Sequence, residues 1–135
     1  MLSDPLTPAQ IQNLGMLTLA SVGDCVYDLM VRARLCAEGT ARARALHKSR
    51  VARVNARSQA EASGRILEFL TEEEADIFRR GRNTRTGSQP KNASRGEYQT
   101  ATALEALLGW LYLLGREERL RELFERLEEE EQIKG

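Results

Sequence analysis

The stretch ATALEALLGWLYLL, residues 101–114, decides the fold class. Leu104, Leu107, Leu108 and Leu111 recur at i, i+3, i+4 and i+7, the spacing of one helical face, and most intervening positions are apolar too. A helix apolar on nearly every side belongs in a core. Gly115 is placed to stop it, and Glu97 marks its start. Glu105 is the single ionisable side chain, tyrosines aside, between Glu97 and Arg116. A lone carboxylate in such a setting is costly unless it is paired or holds a cation.

The spacing on either side is also helical. Thr7-Pro8 predicts the start of a short helix, with Thr as N-cap and Pro at the first helical position. A long helix is expected from about Leu14 to Ala37, ending at Gly39, and a third from Thr40 to about Ser63. A shorter segment spans Ile66 to Leu70, and Thr71-Glu72-Glu73-Glu74 is a capping box for a helix to about Arg80. From Gly81 to Gly96 the periodicity fails amid Gly, Pro, Ser, Thr and Asn, which predicts a long basic loop over about 82–96. The last helix is expected from Arg116 to Gln132. No stretch alternates like a strand. The expectation is one all-α domain over residues 1–135, a helical bundle.

A second acid stands in an apolar setting. Asp24 follows Gly23 inside the long helix, between Leu17–Val22 and Cys25–Met30, with Asp28 one turn on along the same face. Gly23 permits close approach of another backbone or a ligand. Taken singly, Asp24 and Glu105 are each explained by an ion pair with a nearby Arg. Taken together, two isolated acids in the two most apolar helices suit an all-oxygen site for Mg²⁺, should those helices pack together.

The 20 basic and 20 acidic residues cancel in sum but not in position. Arg42, Arg44, Lys48, Arg50, Arg53 and Arg57 form one zone without acids, with Arg50, Arg53 and Arg57 on one helical stripe. Arg79, Arg80, Arg82, Arg85, Lys91 and Arg95 form another, beside Gly, Ser and Asn donors suited to phosphate oxygens. No Glu is placed within the first zone to pair with its arginines, so the zones resemble a polyanion footprint rather than a solvated face. Aromatics are scarce, which disfavours stacking on single-stranded bases and favours a duplex recognised by shape and phosphates.

Other classes are excluded. His47 is the sole histidine, and Cys25 and Cys36 fit no zinc pattern. On one helix those cysteines stand about 16 Å apart, beyond disulfide reach, which suits a reducing, cytoplasmic compartment. There is no Gly-rich phosphate loop of either standard pattern. The amino terminus has no signal-peptide pattern and no apolar run is long enough to span a membrane.

SVGDCVYDLMVR (residues 21–32) resembles the Gly-Asp helix motif of ribonuclease III domains, and YQTATALEALLGWLYLLG (residues 98–115) resembles their second motif, with its metal-binding glutamate. The segments LHKSRVARVNARSQA and RRGRNTRTGSQPKN are similar to those of one branch, the Mini-ribonuclease III proteins. The resemblance implies an all-helical, homodimeric ribonuclease III domain whose subunits pack through the first motif helix. It implies Mg²⁺-dependent cleavage of double-stranded RNA leaving 5′-phosphate and 3′-hydroxyl ends, with Asp24 as catalytic aspartate and Glu105 as metal-binding glutamate. Larger family members carry two further acids where this chain has Ala20 and Thr102, a reduction the Mini-ribonuclease III branch shares. Asp28 and Thr102 are left as residues able to support the ligands from behind. At 135 residues the chain has no room for the duplex-binding domain of larger members, so Arg50, Arg53, Arg57, Arg79, Arg80, Arg82, Arg85 and Lys91 are expected to grip the RNA. The branch further implies a stem of the large-subunit ribosomal RNA precursor as substrate, with room for help from a ribosomal protein. The competing expectation is a duplex-binding module of the same fold that does not cut.

Overall fold

Side-chain caps set where several helices begin. Thr7 accepts the Gln10 N–H while Gln10 accepts the Thr7 N–H, opening α1 (Pro8–Gln12). Gly15, in extended conformation, starts α2 (Met16–Ala37). Asn55 caps α3 (Ala56–Ser63) by accepting the Ser58 N–H. A 3-10 turn, Leu67–Phe69, follows. The Thr71/Glu74 capping box opens α4 (Glu72–Arg82) and a Ser94/Glu97 box opens α5 (Arg95–Leu113). The last helix is α6 (Glu117–Ile133). The structure is a computed structural model that describes residues 3–39, 55–84 and 94–133, and among these there is no strand.

Three expected boundaries move, each for a local reason. The helix expected from Thr40 to Ser63 does not run through Asn55, whose extended backbone and capping side chain begin a new helix there. The stripe of Arg50, Arg53 and Arg57 therefore does not lie on one unbroken helix; Arg50 and Arg53 fall outside the described residues, as do Arg85 and Lys91. The loop expected over 82–96 is shorter, because α4 keeps Arg82 and the Ser94 cap draws Arg95 and Gly96 into the first turn of α5. The long helix begins at Met16 rather than Leu14, since α1 ends in a turn through Asn13 and Leu14.

α5 is the axis of the molecule. It packs against α2, α4, α3 and, more lightly, α6. Leu104, Leu107, Leu108 and Leu111 are fully buried, each contributing about 1.5–3 kcal/mol of hydrophobic stabilisation. Small residues let its neighbours come close. A methyl group on Gly81 of α4 would sit 3.0 Å from the Ala103 Cα. The tightest approach is between α2 and α5. A Cβ on Gly23 would fall 1.6 Å from the Glu105 carbonyl oxygen, and one on Gly109 would fall 2.0 Å from that of Leu19. Two glycines one helical turn from Leu19 and Glu105 thus put backbone on backbone, which no other residue type allows.

Polar ties close the bundle. Arg119 of α6 bonds both carboxylate oxygens of buried Glu74 at 2.8 Å and also the Phe69 carbonyl. Although burial acts to raise it, the Arg119 guanidinium and the Thr71 cap hold the Glu74 carboxyl below its ordinary range. Gly115, at φ +77°, ends α5 with Arg116 N–H bonded to Leu111 O and Gly115 N–H to Tyr112 O. Cys25 and Cys36 are both free and exposed on α2.

This packing predicts opposite responses from glycines in one helix. Gly109→Ala is expected to destabilise by about 2 kcal/mol or more, because backbone must retreat and only a few tenths to about 1 kcal/mol returns as helix propensity. Gly96→Ala meets nothing within 4 Å in the first turn of the same helix and is expected to be neutral or mildly stabilising. Urea denaturation of the two variants tests this; similar responses would contradict the close crossing.

Candidate active site

The crossing of α2 and α5 assembles the site. Asp24 follows the glycine that touches the Glu105 backbone, so the two residues are neighbours by construction. Tyr27, Val31 and Leu19, one turn apart, bury the same face of α2 and fix its rotation. Asp24 is thereby left exposed at the margin of the contact, and Glu105 half-buried beneath it.

Glu105 has the most perturbed acid–base behaviour among the described acids. Burial first, then the charge of Asp24 and the hydrogen bond shared with it, push its carboxyl up to about 8. Gln59 acts in the opposite sense: its Nε2 donates to Glu105 Oε2 at 3.4 Å. Near neutral pH the pair therefore holds a proton where two carboxylates would otherwise repel. A divalent cation answers the same electrostatic need. The donor set is all oxygen, and among the described residues no third His, Cys, Asp or Glu joins it. Two carboxylates with water completing the shell is a set that suits Mg²⁺.

The other expected residues are dispersed. Asp28 pairs with Arg32 at 3.1 Å. Buried Thr102 donates its hydroxyl to the Tyr98 carbonyl of its own helix at 2.9 Å. Arg57 does have acids beside it, contrary to the reading of an unpaired basic zone: Glu61 at 3.8 Å and Glu97 at 3.9 Å, both from beyond the zone's ends. Arg79 is ion-paired with Asp76, which Arg80 also approaches at 3.9 Å. Arg82 is exposed. These surface pairs are weak and exchangeable. Sequence reasoning missed Gln59. Its only signal is the turn it makes with Ser63, two small or neutral polar residues four apart on a helix otherwise rich in Ala.

The Glu105 shift fixes a sign for pH dependence. A carboxyl raised from 4.5 to about 8 binds its proton more tightly in the native than in the unfolded chain. Its contribution is fully present below the unfolded value and is lost as pH rises towards the folded one. Without added metal, Glu105→Gln is therefore expected to gain stability over the unmodified chain progressively between pH 5 and 8, by up to a few kcal/mol. Melting curves across that range check it; a difference independent of pH would rule out the shift.

Comparisons with known proteins identify the family. The ribonuclease III domain family matches residues 17–116. A Mini-ribonuclease 3 of Thermoanaerobacter sp. (strain X514) is 44% identical over 120 residues, covering 89% of this chain and 84% of that protein. A Mini-ribonuclease 3 of Symbiobacterium thermophilum is 42% identical over 92% of this chain and 91% of its own length. A crystallised protein of Fusobacterium nucleatum superposes with a TM-score of 0.81 at 33% identity, covering 90% of this chain and 94% of that one. The all-helical fold, the two motif helices packed through Gly23 and Gly109, and these relatives lead to one conclusion: the chain belongs to the ribonuclease III family, in its Mini-ribonuclease 3 branch, and is an endoribonuclease.

Proposed function

We propose that this endoribonuclease cuts double-stranded RNA at the Asp24–Glu105 pair with Mg²⁺, leaving 5′-phosphate and 3′-hydroxyl ends. The observation that carries the reading is the α2–α5 crossing, where Gly23 packs on the Glu105 backbone and so brings Asp24 beside half-buried Glu105. Asp24 and Glu105 would hold the cation. Bound there, Mg²⁺ supplies a water of lowered pKa and polarises the phosphoryl oxygen. Gly23 and Gly109 keep the two acids in register. Exposed Arg57, Arg79 and Arg80 are able to exchange their surface carboxylate partners for phosphate oxygens, and exposed Arg82 is open to the same contact, which adds charge-assisted hydrogen bonds. We assign Arg50, Arg53, Arg85 and Lys91 to the same task on their sequence positions. Resemblance to the Mini-ribonuclease 3 branch supports a stem of the large-subunit (23S) ribosomal RNA precursor as substrate, in the cytoplasm. Among the described residues no helix is long and apolar enough to cross a membrane.

The active form in this proposal is a homodimer. Opposite its buried face, α2 turns Val22, Cys25, Val26, Leu29 and Met30 into a groove of about 810 Å³ that Phe124 of α6 also lines. Leu29 is 60% exposed and Leu17 48%, unusual for large aliphatic residues on a core helix. The face belongs to the same helix that carries Asp24, so a second copy seated there would fix the placement of two sites on one duplex.

Incubation with a long RNA duplex tests the chemistry. Cleavage is expected only with Mg²⁺, and Glu105→Gln and Asp24→Asn are each expected to lower kcat by at least 100-fold while retaining duplex binding. Binding without cleavage by the unmodified chain would instead favour the non-catalytic module, a reading that the pairing of both acids argues against.

Assembly has its own test in sedimentation. The unmodified chain is expected to run as a dimer at micromolar concentration and Leu29→Glu as a folded monomer. A monomeric unmodified chain would remove the dimer from the proposal.

A further inference from the structure

Gln59 is only 1% exposed, in a protein that has few buried polar side chains among its described residues. It lies on α3, one turn after the Asn55 cap, and its own carbonyl accepts the Ser63 hydroxyl at 2.8 Å. α3 packs against α5, which places the Gln59 amide beside the Glu105 carboxyl from a different helix than Asp24's. A buried amide left unpartnered is destabilising, and here it is aimed at a carboxylate. Only the Nε2 end of the amide can donate to a carboxylate oxygen, so the orientation of the side chain is determined by its partner. At 3.4 Å the contact is long for a hydrogen bond, suited to orienting the acceptor more than to binding it tightly.

The chemistry of the residue type matters. A Lys or Arg at this position would bring a fixed positive charge that competes with a cation for Glu105. A Glu would add a third negative charge beside Asp24 and Glu105. A neutral donor occupies one lone pair of Oε2 and leaves the remaining ones for Asp24 and a cation. We propose that Gln59 is a positioning residue of the metal site, holding the Glu105 carboxylate in the orientation in which it and Asp24 grip one cation. This rests on the reading of that pair as a metal site. The competing role is structural, a polar filler that satisfies a half-buried Glu with no consequence for the metal.

Titration of Mn²⁺ into the metal-free chain, followed by calorimetry, separates these roles when run on the unmodified chain, Asp24→Asn, Gln59→Met and Gln59→Leu. Met and Leu keep most of the volume and remove the donor. The unmodified chain is expected to bind Mn²⁺ and Asp24→Asn to lose that binding. Both Gln59 variants are expected to fold, to melt within a few degrees of the unmodified chain, and to bind Mn²⁺ about tenfold more weakly. On duplex RNA they are expected to lose kcat about tenfold with KM unchanged. Folded Gln59 variants that bind Mn²⁺ as tightly as the unmodified chain would overturn the proposal, as would a change confined to KM. Failure of both variants to fold would also overturn it, by making the role structural. No Mn²⁺ binding by the unmodified chain would remove the metal site itself, a result distinct from selective weakening in the Gln59 variants.

Discussion

The backbone contact between Gly23 and Gly109 is the constraint on which the rest of this structure depends. Where a Cβ would stand, each glycine meets a carbonyl of the opposite helix, at 1.6 Å and 2.0 Å. Two helices carrying side chains at their crossing stay 8–10 Å apart between axes. Glycine at both positions removes that spacer. The neighbours of these glycines then inherit their positions. Asp24 follows one, Glu105 stands a turn before the other, and the carboxyl groups meet because the backbones do. Leu19, Tyr27 and Val31 prevent α2 from rolling away from this alignment.

That closeness creates an electrostatic problem and locates its solution at the surface. Two neighbouring carboxyl groups, one of them half-buried, cannot both ionise cheaply. Asp24 is exposed, and among the described residues the side-chain donor that Glu105 receives is the neutral amide of Gln59. Elsewhere the same chain neutralises a buried acid fully: Glu74 has Arg119 at 2.8 Å and a backbone cap. The contrast between Glu74 and Glu105 separates an acid that closes the bundle from one kept short of positive charge. A pair that meets no positive charge among the described residues is the one able to attract a cation.

The cations expected to bind RNA show a different logic. Arg57, Arg79 and Arg80 are exposed and loosely paired with Glu61, Glu97 and Asp76. Such pairs hold long side chains near a surface without committing them. Arg57 also shows how local capping overrides composition. The run of basic residues before it suggested one continuous helix, but Asn55 ends that continuity, because its side chain caps a new turn better than it fits inside one.

The sequence by itself determined the helices, their caps at Thr7 and Thr71, and the two lonely acids in apolar surroundings, because periodicity and capping act within a few residues. It also carried the family resemblance, since Gly-Asp and the Glu105–Gly109 run are contiguous in the chain. Only the tertiary structure decided that Gly23 and Gly109 face each other, that Asp24 is exposed while Glu105 is not, and that Gln59 arrives from a third helix. Those facts depend on how α2 and α3 are rotated about α5. Rotation is set by the sum of many side-chain contacts between segments far apart in the chain, 46 positions for Gln59 and Glu105, and no local pattern encodes it.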